Sequence, residues 1–260
     1  MLSPTELKEL KLARRLLESE GLAVRLQNTI GKPIGEGINW LPKNWRGKVN
    51  KATELALKKA LDVAIKSLDK PGQNLTSANH THKVMAAASG AFGGAFGLPA
   101  LFVELPVSTT IMMRSIADIA RAEGEDLTSL ESRLACIEVF ALGGTSSGDD
   151  FADTGYYAVR TILAQQVTET IRHIAQGESA RVAASPITRL IASIASRFGI
   201  VVGEKAIAAA IPLIGAAGGA MINTLFIDHF QDVARGHFIV RRLERAHGRD
   251  VVRAAYEALS

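Results

Sequence analysis

The feature that most constrains this chain is a long stretch without charged side chains near the middle of the sequence. Residues 84–103 are twenty consecutive uncharged residues, which is the length that an α-helix needs to cross a bilayer. More than half of them are Gly, Ala or Ser, which gain little free energy in hydrocarbon, and Pro99 interrupts the run. We therefore predict two helices buried within protein, over residues 80–97 and 99–122, instead of a permanent membrane span.

A second uncharged stretch covers residues 206–227 and has the same character, with many small residues and one internal proline, Pro212. Aromatic residues make up only 5% of the chain, so the core must consist mainly of Ala, Leu, Ile and Val. Alternating β-branched runs are few. The sequence predicts a compact all-α protein whose interior holds these two Gly/Ala-rich helical segments.

Helical periodicity predicts further helices on both sides of these segments. A capping box at Ser3 and Glu6 starts an amphipathic helix that should reach about residue 29. Other helices are expected over residues 48–70, 128–142, 151–176 and 186–198, and from Asn223 onwards. A Gly- and Pro-rich break at residues 31–47 suggests a division into an N-terminal part, 1–45, and a main helical domain, 46–260.

The break contains both tryptophans of the protein, and basic residues surround them. Trp40, Lys43, Trp45 and Arg46 combine amphipathic rings with positive charge, which is typical of the boundary between water and hydrocarbon. We predict that these four residues contact a membrane; the alternative is that the indoles fold back on the core. The net charge of +4 permits an anionic membrane surface as a partner. Nucleic acid is not expected, because no dense basic stripe with interleaved aromatic residues is present.

Glu104 is the single charged residue between Lys83 and Arg114. A carboxylate in so apolar a run must be paired, neutralised or directed into a cavity. Glu104 therefore marks the polar end of a ligand pocket, or it pairs with a base such as Arg114 or Arg160, or it lies at a bend of the chain.

His229, Asp232 and His237 form the one other constellation that resembles a site. His229 and Asp232 are three residues apart on a helix, so the carboxylate is able to hold the imidazole. His237 lies about 12 Å further along the axis, too far to share one metal ion. We therefore predict no metal and no cofactor. A hydrogen-bonded helix interface is the alternative to a site at these residues. Tyr156 and Arg160 are assigned to the same polar, ligand-binding group.

Several function classes have no support in the sequence. The zinc-protease pattern HExxH and the nucleophile pattern GxSxG are both missing, and Cys136, the only cysteine, has no evident activating partner. The N-terminus is charged and has no apolar secretory segment, so a cytoplasmic chain is expected. Enzymatic activity is left open and no catalytic residue is assigned.

Several segments, in order along the chain, resemble the EcsC family. They are Gly97-Leu98-Pro99 with Glu104-Leu105-Pro106, the segment 121–127, Ile211 to Ala216, Asn223, and Phe238 to Glu244. The resemblance covers residues 45–248 and adds Asn223 to the ligand-binding group. It implies a bacterial cytoplasmic protein that works near the inner face of the membrane, with an ABC transporter as a partner. The sequence departs from the resemblance at Glu104, where Asp is equally expected.

Together these observations favour a non-enzymatic protein that binds a lipid or another apolar molecule, or that docks on a membrane surface. The alternatives are a hydrolase using His229 with Asp232, or Glu104, and an accessory protein of an ABC transporter. Insertion of residues 84–103 as a hairpin is a further alternative.

Overall fold

The computed structural model describes residues 2–31, 45–67, 100–144, 155–176, 185–210 and 215–259, without the side chains of residues 46, 67, 215 and 216. In these ranges every regular element is a helix, which confirms the predicted all-α fold. The helices are α1 (Pro4–Leu17), α2 (Leu22–Ile30), α3 (Trp45–Ser67), α4 (Leu101–Ala122), α5 (Leu130–Leu142), α6 (Tyr156–Ala175), α7 (Pro186–Ala210), α8 (Gly215–His247) and α9 (Arg249–Glu257).

The N-terminal region is two helices, so the prediction of one helix to residue 29 is wrong. α1 begins as expected at the capping box, in which the Ser3 hydroxyl accepts a hydrogen bond from the Glu6 backbone N–H. Gly21 then starts a second helix, and Gly31 ends it with a left-handed backbone that only glycine adopts readily. The break turns α2 away from α1 and brings it against α7 and α8.

The uncharged segments are only partly within the described residues. The helix expected over 99–122 is α4, whereas the one expected over 80–97 lies outside the described ranges. The second uncharged segment is shared between the end of α7 and the start of α8, and α7 continues well past residue 198. Among the helices described, none combines the length and the apolar character needed to span a bilayer.

Helix α8 is the long central element, and α4 runs beside it in the same direction. Asn223 meets Glu104 at one end, Gln231 donates to the Ser115 hydroxyl at 2.8 Å in the middle, and Arg241 reaches Glu125 at the other end. Helix α3 runs in the same direction as α4. The Trp45 and Phe102 rings pack at the two N-terminal ends with centroids 5.9 Å apart, and Arg133, which follows α4 in the chain, donates to the Ile65 carbonyl near the end of α3 at 2.7 Å.

A group of phenylalanines fills the space between α5, α7 and α8. Phe140, Phe198, Phe226 and Phe230 are fully buried, and their ring centroids lie 5.0–6.0 Å apart. Glycines permit this close packing: a Cβ at Gly143 would meet the Phe230 ring at 2.5 Å. The core is therefore built from tightly approaching helices, as the small-residue composition predicts.

Candidate functional site

Glu104 lies in a buried polar cluster with Lys205 and Asn223, on three different helices. The Lys205 ammonium group donates to both carboxylate oxygens at 2.9 and 2.8 Å, and the Asn223 side-chain amide donates to Oε1 at 2.8 Å. Glu104 is 6% exposed and Lys205 is 3% exposed. The predicted pairing with Arg114 or Arg160 is wrong. The true partner lies on α7, directly before the second uncharged segment.

The ion pair is the reason that both charges are tolerated in an apolar environment. Burial lowers the pKa of Lys205, and the adjacent Glu104 carboxylate opposes that shift. The Lys205 ammonium nitrogen also lies 4.5 Å from the centroid of the Phe226 ring, so its remaining surface meets an aromatic face. The cluster ties α4, α7 and α8 together at the end of the bundle where both uncharged sequence segments join the described helices.

Tyr156, Arg160 and His237 form a second cluster, between α6 and α8. The Tyr156 hydroxyl and the His237 Nδ1 atom are 2.9 Å apart, and Arg160 makes a two-pronged ion pair with Glu244, with both contacts at 2.8 Å. Burial, together with the positive charges of Arg160 and Arg241, holds the pKa of His237 well below its usual range. Three of the residues predicted to bind a ligand therefore do come together, but their side chains contact one another.

A third cluster contains acids that sequence reasoning missed. Glu125 accepts hydrogen bonds from Arg241 at 2.8 Å and from the Ser132 hydroxyl at 2.8 Å, and it also pairs with Arg245. These bonds anchor the turn after α4 to the end of α8. The buried Glu138 lies near Arg160 and Arg241, and burial raises the pKa of its carboxyl group.

His229 and Asp232 have separate partners. The His229 Nε2 atom lies 2.8 Å from the Gly143 carbonyl oxygen, to which it donates, whereas the Asp232 carboxylate pairs with Arg25 at 3.0 Å. The hydrogen bond proposed between the two side chains is therefore not formed. Burial lowers the pKa of His229 to about 4, so its imidazole is neutral at physiological pH and unsuited to be a cation there.

We expect His229 to make the protein less stable in mild acid. The imidazole has a pKa of about 4 when folded against 6.5 as the ordinary value, so the unfolded chain binds more protons between these values and stability is lost as the pH falls through them. The loss from this residue should be about 2 kcal/mol between pH 8 and pH 5. Urea unfolding at both pH values should show that His229→Gln, which keeps a donor for Gly143, removes this part of the pH dependence. The same slope in both proteins would contradict the assignment.

Of the two tryptophans predicted to contact a membrane, the structure describes Trp45. Trp45 is 8% exposed and packs on Phe102, so its indole supports the core, which was the alternative considered. Trp40, Lys43 and the side chain of Arg46 lie outside the described residues. Their membrane contact stays a prediction.

The seven residues assigned to ligand binding do not form one pocket. Asn223 and His237 are fourteen residues apart on α8, which is about 21 Å along the helix axis. A partly open cleft of ≈ 410 Å³ lies elsewhere, between α3 and α7, and small or polar residues line it, among them Asn50, Glu54, Ala195 and Gly199. In the described part of the chain, no three His, Cys, Asp or Glu side chains are placed to hold a metal ion. Cys136 is buried, and burial raises the pKa of its thiol.

The sequence model of the EcsC protein family matches residues 5–243. The chain belongs to the EcsC protein family. The match begins within α1, further toward the N-terminus than the resemblance noted from sequence, and the division at residue 45 stays a prediction. Neither the curated proteins nor the solved structures contain a match to the chain.

The segments that resemble EcsC contribute at least one residue to each of the three buried clusters. Glu104 and Asn223 belong to the first cluster, the segment 121–127 contributes Glu125, and the segment from Phe238 contributes Arg241 and Glu244. In this EcsC protein, the segments that resemble the family therefore supply side chains that bond one helix to another. The association with an ABC transporter remains a prediction based on the family resemblance.

Proposed function

We propose that the protein is a non-enzymatic EcsC protein that docks reversibly on a membrane through the surface of α3 and α4. The observation that carries this proposal is the exposure of two valines in the first turns of α4. Val103 is 67% exposed and Val107, one helical turn later, is 46% exposed. Val103 is the last residue of the uncharged sequence segment 84–103 and Val107 lies four residues beyond it, so apolar sequence and exposed apolar side chains occur together.

The surroundings of these valines suit contact with a bilayer surface. Val103 follows Phe102, whose ring packs on Trp45, so the valines lie beside the start of α3. The nearest charge in the sequence, Glu104, is buried in its ion pair with Lys205 and is not part of this surface. The next charge, Arg114, is exposed on the same helix face as Val107. An apolar patch with a basic residue at its edge is typical of interfacial docking.

The size of the patch supports reversible docking. Full burial of a valine contributes about 1.5 kcal/mol, so two partly exposed valines contribute about 1–2 kcal/mol. This amount favours contact with a membrane that already holds the protein by other interactions.

The polar clusters give no comparable support to a hydrolase. The Glu104 carboxylate accepts three hydrogen bonds from Lys205 and Asn223, and His229 and Asp232 are bonded to other residues. Each candidate catalytic side chain is thus engaged in holding helices together. Binding of a free lipid or another apolar ligand, which the sequence also suggested, remains an untested prediction.

Replacing both valines should test the proposal directly. We expect Val103→Asp/Val107→Asp to bind vesicles about tenfold less well in sedimentation, because the apolar contact is lost and two charges are added. The matched control is Ile162→Asp, which changes a 59% exposed residue on α6 and should leave binding unchanged. Unaltered binding of the double variant, or an equal loss in the control, would contradict docking through α4. Thermal unfolding should confirm that both variants are folded.

A further inference from the structure

Helix α3 carries an exposed leucine that is surrounded by lysines. Leu55 is 48% exposed. Two lysines precede Leu55 on its face of the helix, Lys48 by seven residues and Lys51 by four. Two more follow it on the same face, Lys58 after three residues and Lys59 after four. All four lysines are exposed. We refer to these four residues as the lysine ring.

None of the described acids forms an ion pair with the lysine ring, although Glu54 and Asp62 lie three or four residues from its members. Near the C-terminal end of α3, Lys66 pairs with Asp62 at 3.4 Å. Within the described parts of the chain, Lys51, Lys58 and Lys59 make no ion pair, and Lys48 lies over the Trp45 ring at 5.3 Å. Glu54, the acid nearest in sequence, lines the cleft toward α7. Like charges on one face of a helix weaken it, so helix stability does not explain this arrangement.

We infer that Leu55 and the lysine ring bind the headgroups of anionic phospholipids and make docking selective for anionic bilayers. This inference rests on the proposed function, because it assumes that the α3–α4 surface meets a membrane. The ammonium groups would meet lipid phosphates, while the lysine stems and Leu55 lie against the apolar boundary.

The positions of the apolar residues favour a bilayer over other polyanions. Leu55 stands at the centre of the ring, and α4, parallel to α3 and packed against it, adds the exposed Val103 and Val107. A nucleic acid would contact the lysines through its phosphates, but it would gain nothing from an exposed aliphatic side chain such as Leu55 between them. A bilayer surface offers phosphates and hydrocarbon at adjacent depths.

The test compares vesicles of phosphatidylcholine with vesicles that also contain phosphatidylglycerol. Each lysine near an anionic surface contributes about fivefold to binding, so Lys51→Gln/Lys58→Gln/Lys59→Gln should lose on the order of 100-fold affinity for the anionic vesicles. Its weak binding to neutral vesicles should equal that of the wild type. Raising the salt concentration should weaken the wild type toward the level of the variant.

Helix α1 provides a control with the same change of charge. Lys8→Gln/Lys11→Gln/Arg15→Gln removes three exposed bases beside Leu7 and Leu12, which are also exposed. Those leucines are five residues apart and point in different directions, and Glu9 lies among the bases. We expect this variant to lose less than about tenfold.

The outcomes separate the inference from the proposed function. Equal losses in the two triple variants, or equal wild-type binding to both kinds of vesicle, would overturn the role of the lysine ring. If in the latter case Val103→Asp/Val107→Asp still bound about tenfold less well than the wild type, the proposed function would stand. Absence of wild-type binding to any vesicle would overturn both, and lysine-dependent binding to duplex DNA without vesicle binding would assign the ring to another polyanion.

Discussion

Replacing Lys205 by methionine is expected to lower the free energy of unfolding by about 3–5 kcal/mol. The substitution leaves the Glu104 carboxylate in an apolar site, where Asn223 is its one remaining side-chain donor among the described residues. An isolated buried charge is far more costly than a buried pair. Urea unfolding at neutral pH measures the loss.

Two controls isolate the buried charge as the cause. Glu104→Gln/Lys205→Met removes both charges but keeps an oxygen that accepts from Asn223, so it should recover most of the stability. Arg189→Met breaks the exposed pair with Glu169, whose charged groups are 2.7 Å apart, and should cost less than about 1 kcal/mol. If Lys205→Met costs no more than Arg189→Met, Glu104 is hydrated and the argument from burial fails.

Gly144→Ala is expected to destabilise the protein by about 3 kcal/mol. A Cβ at this position would lie 2.4 Å from the Arg197 carbonyl oxygen and 2.5 Å from its carbonyl carbon. Because these are backbone atoms of α7, the clash is relieved only if α5 and α7 move apart, which loosens the packing of the phenylalanine core. Thermal and urea unfolding should both report the change.

Gly199 in α7 provides the matched control. It is a helical glycine with open space where a Cβ would be, so Gly199→Ala should stabilise the protein by about 0.5–1 kcal/mol through higher helix propensity. Opposite signs for the two Gly-to-Ala changes are expected. A loss of similar size at Gly199 would show that close approach is not what distinguishes Gly144.

Local sequence patterns predicted most of the helices because a helix depends on neighbours three and four residues away. The capping box at Ser3 and the run that forms α4 are confirmed in this way. The break at Gly21 was missed, because the apolar period continues through it and one glycine is compatible with a helix.

The partners of the polar residues could not be predicted in the same way. Glu104 was recognisable as an exception within an apolar run, but Lys205 is 101 residues away in the sequence. The isolated base next to the second uncharged segment was the available signal. His229 and Asp232 are neighbours on their own helix, yet each bonds to a different helix, because tertiary packing offered Gly143 and Arg25.

The length of α8 has a consequence for how the protein unfolds. This helix has 33 residues, about 50 Å, and contributes a side chain to each of the three buried polar clusters. Opening either end of the bundle therefore breaks contacts of the same helix, α8, and the free-energy cost of opening falls on that helix in both cases. We therefore expect openings at the Glu104 end and at the Glu125 end to be coupled, so that the described helices unfold as one cooperative unit instead of two halves that open separately.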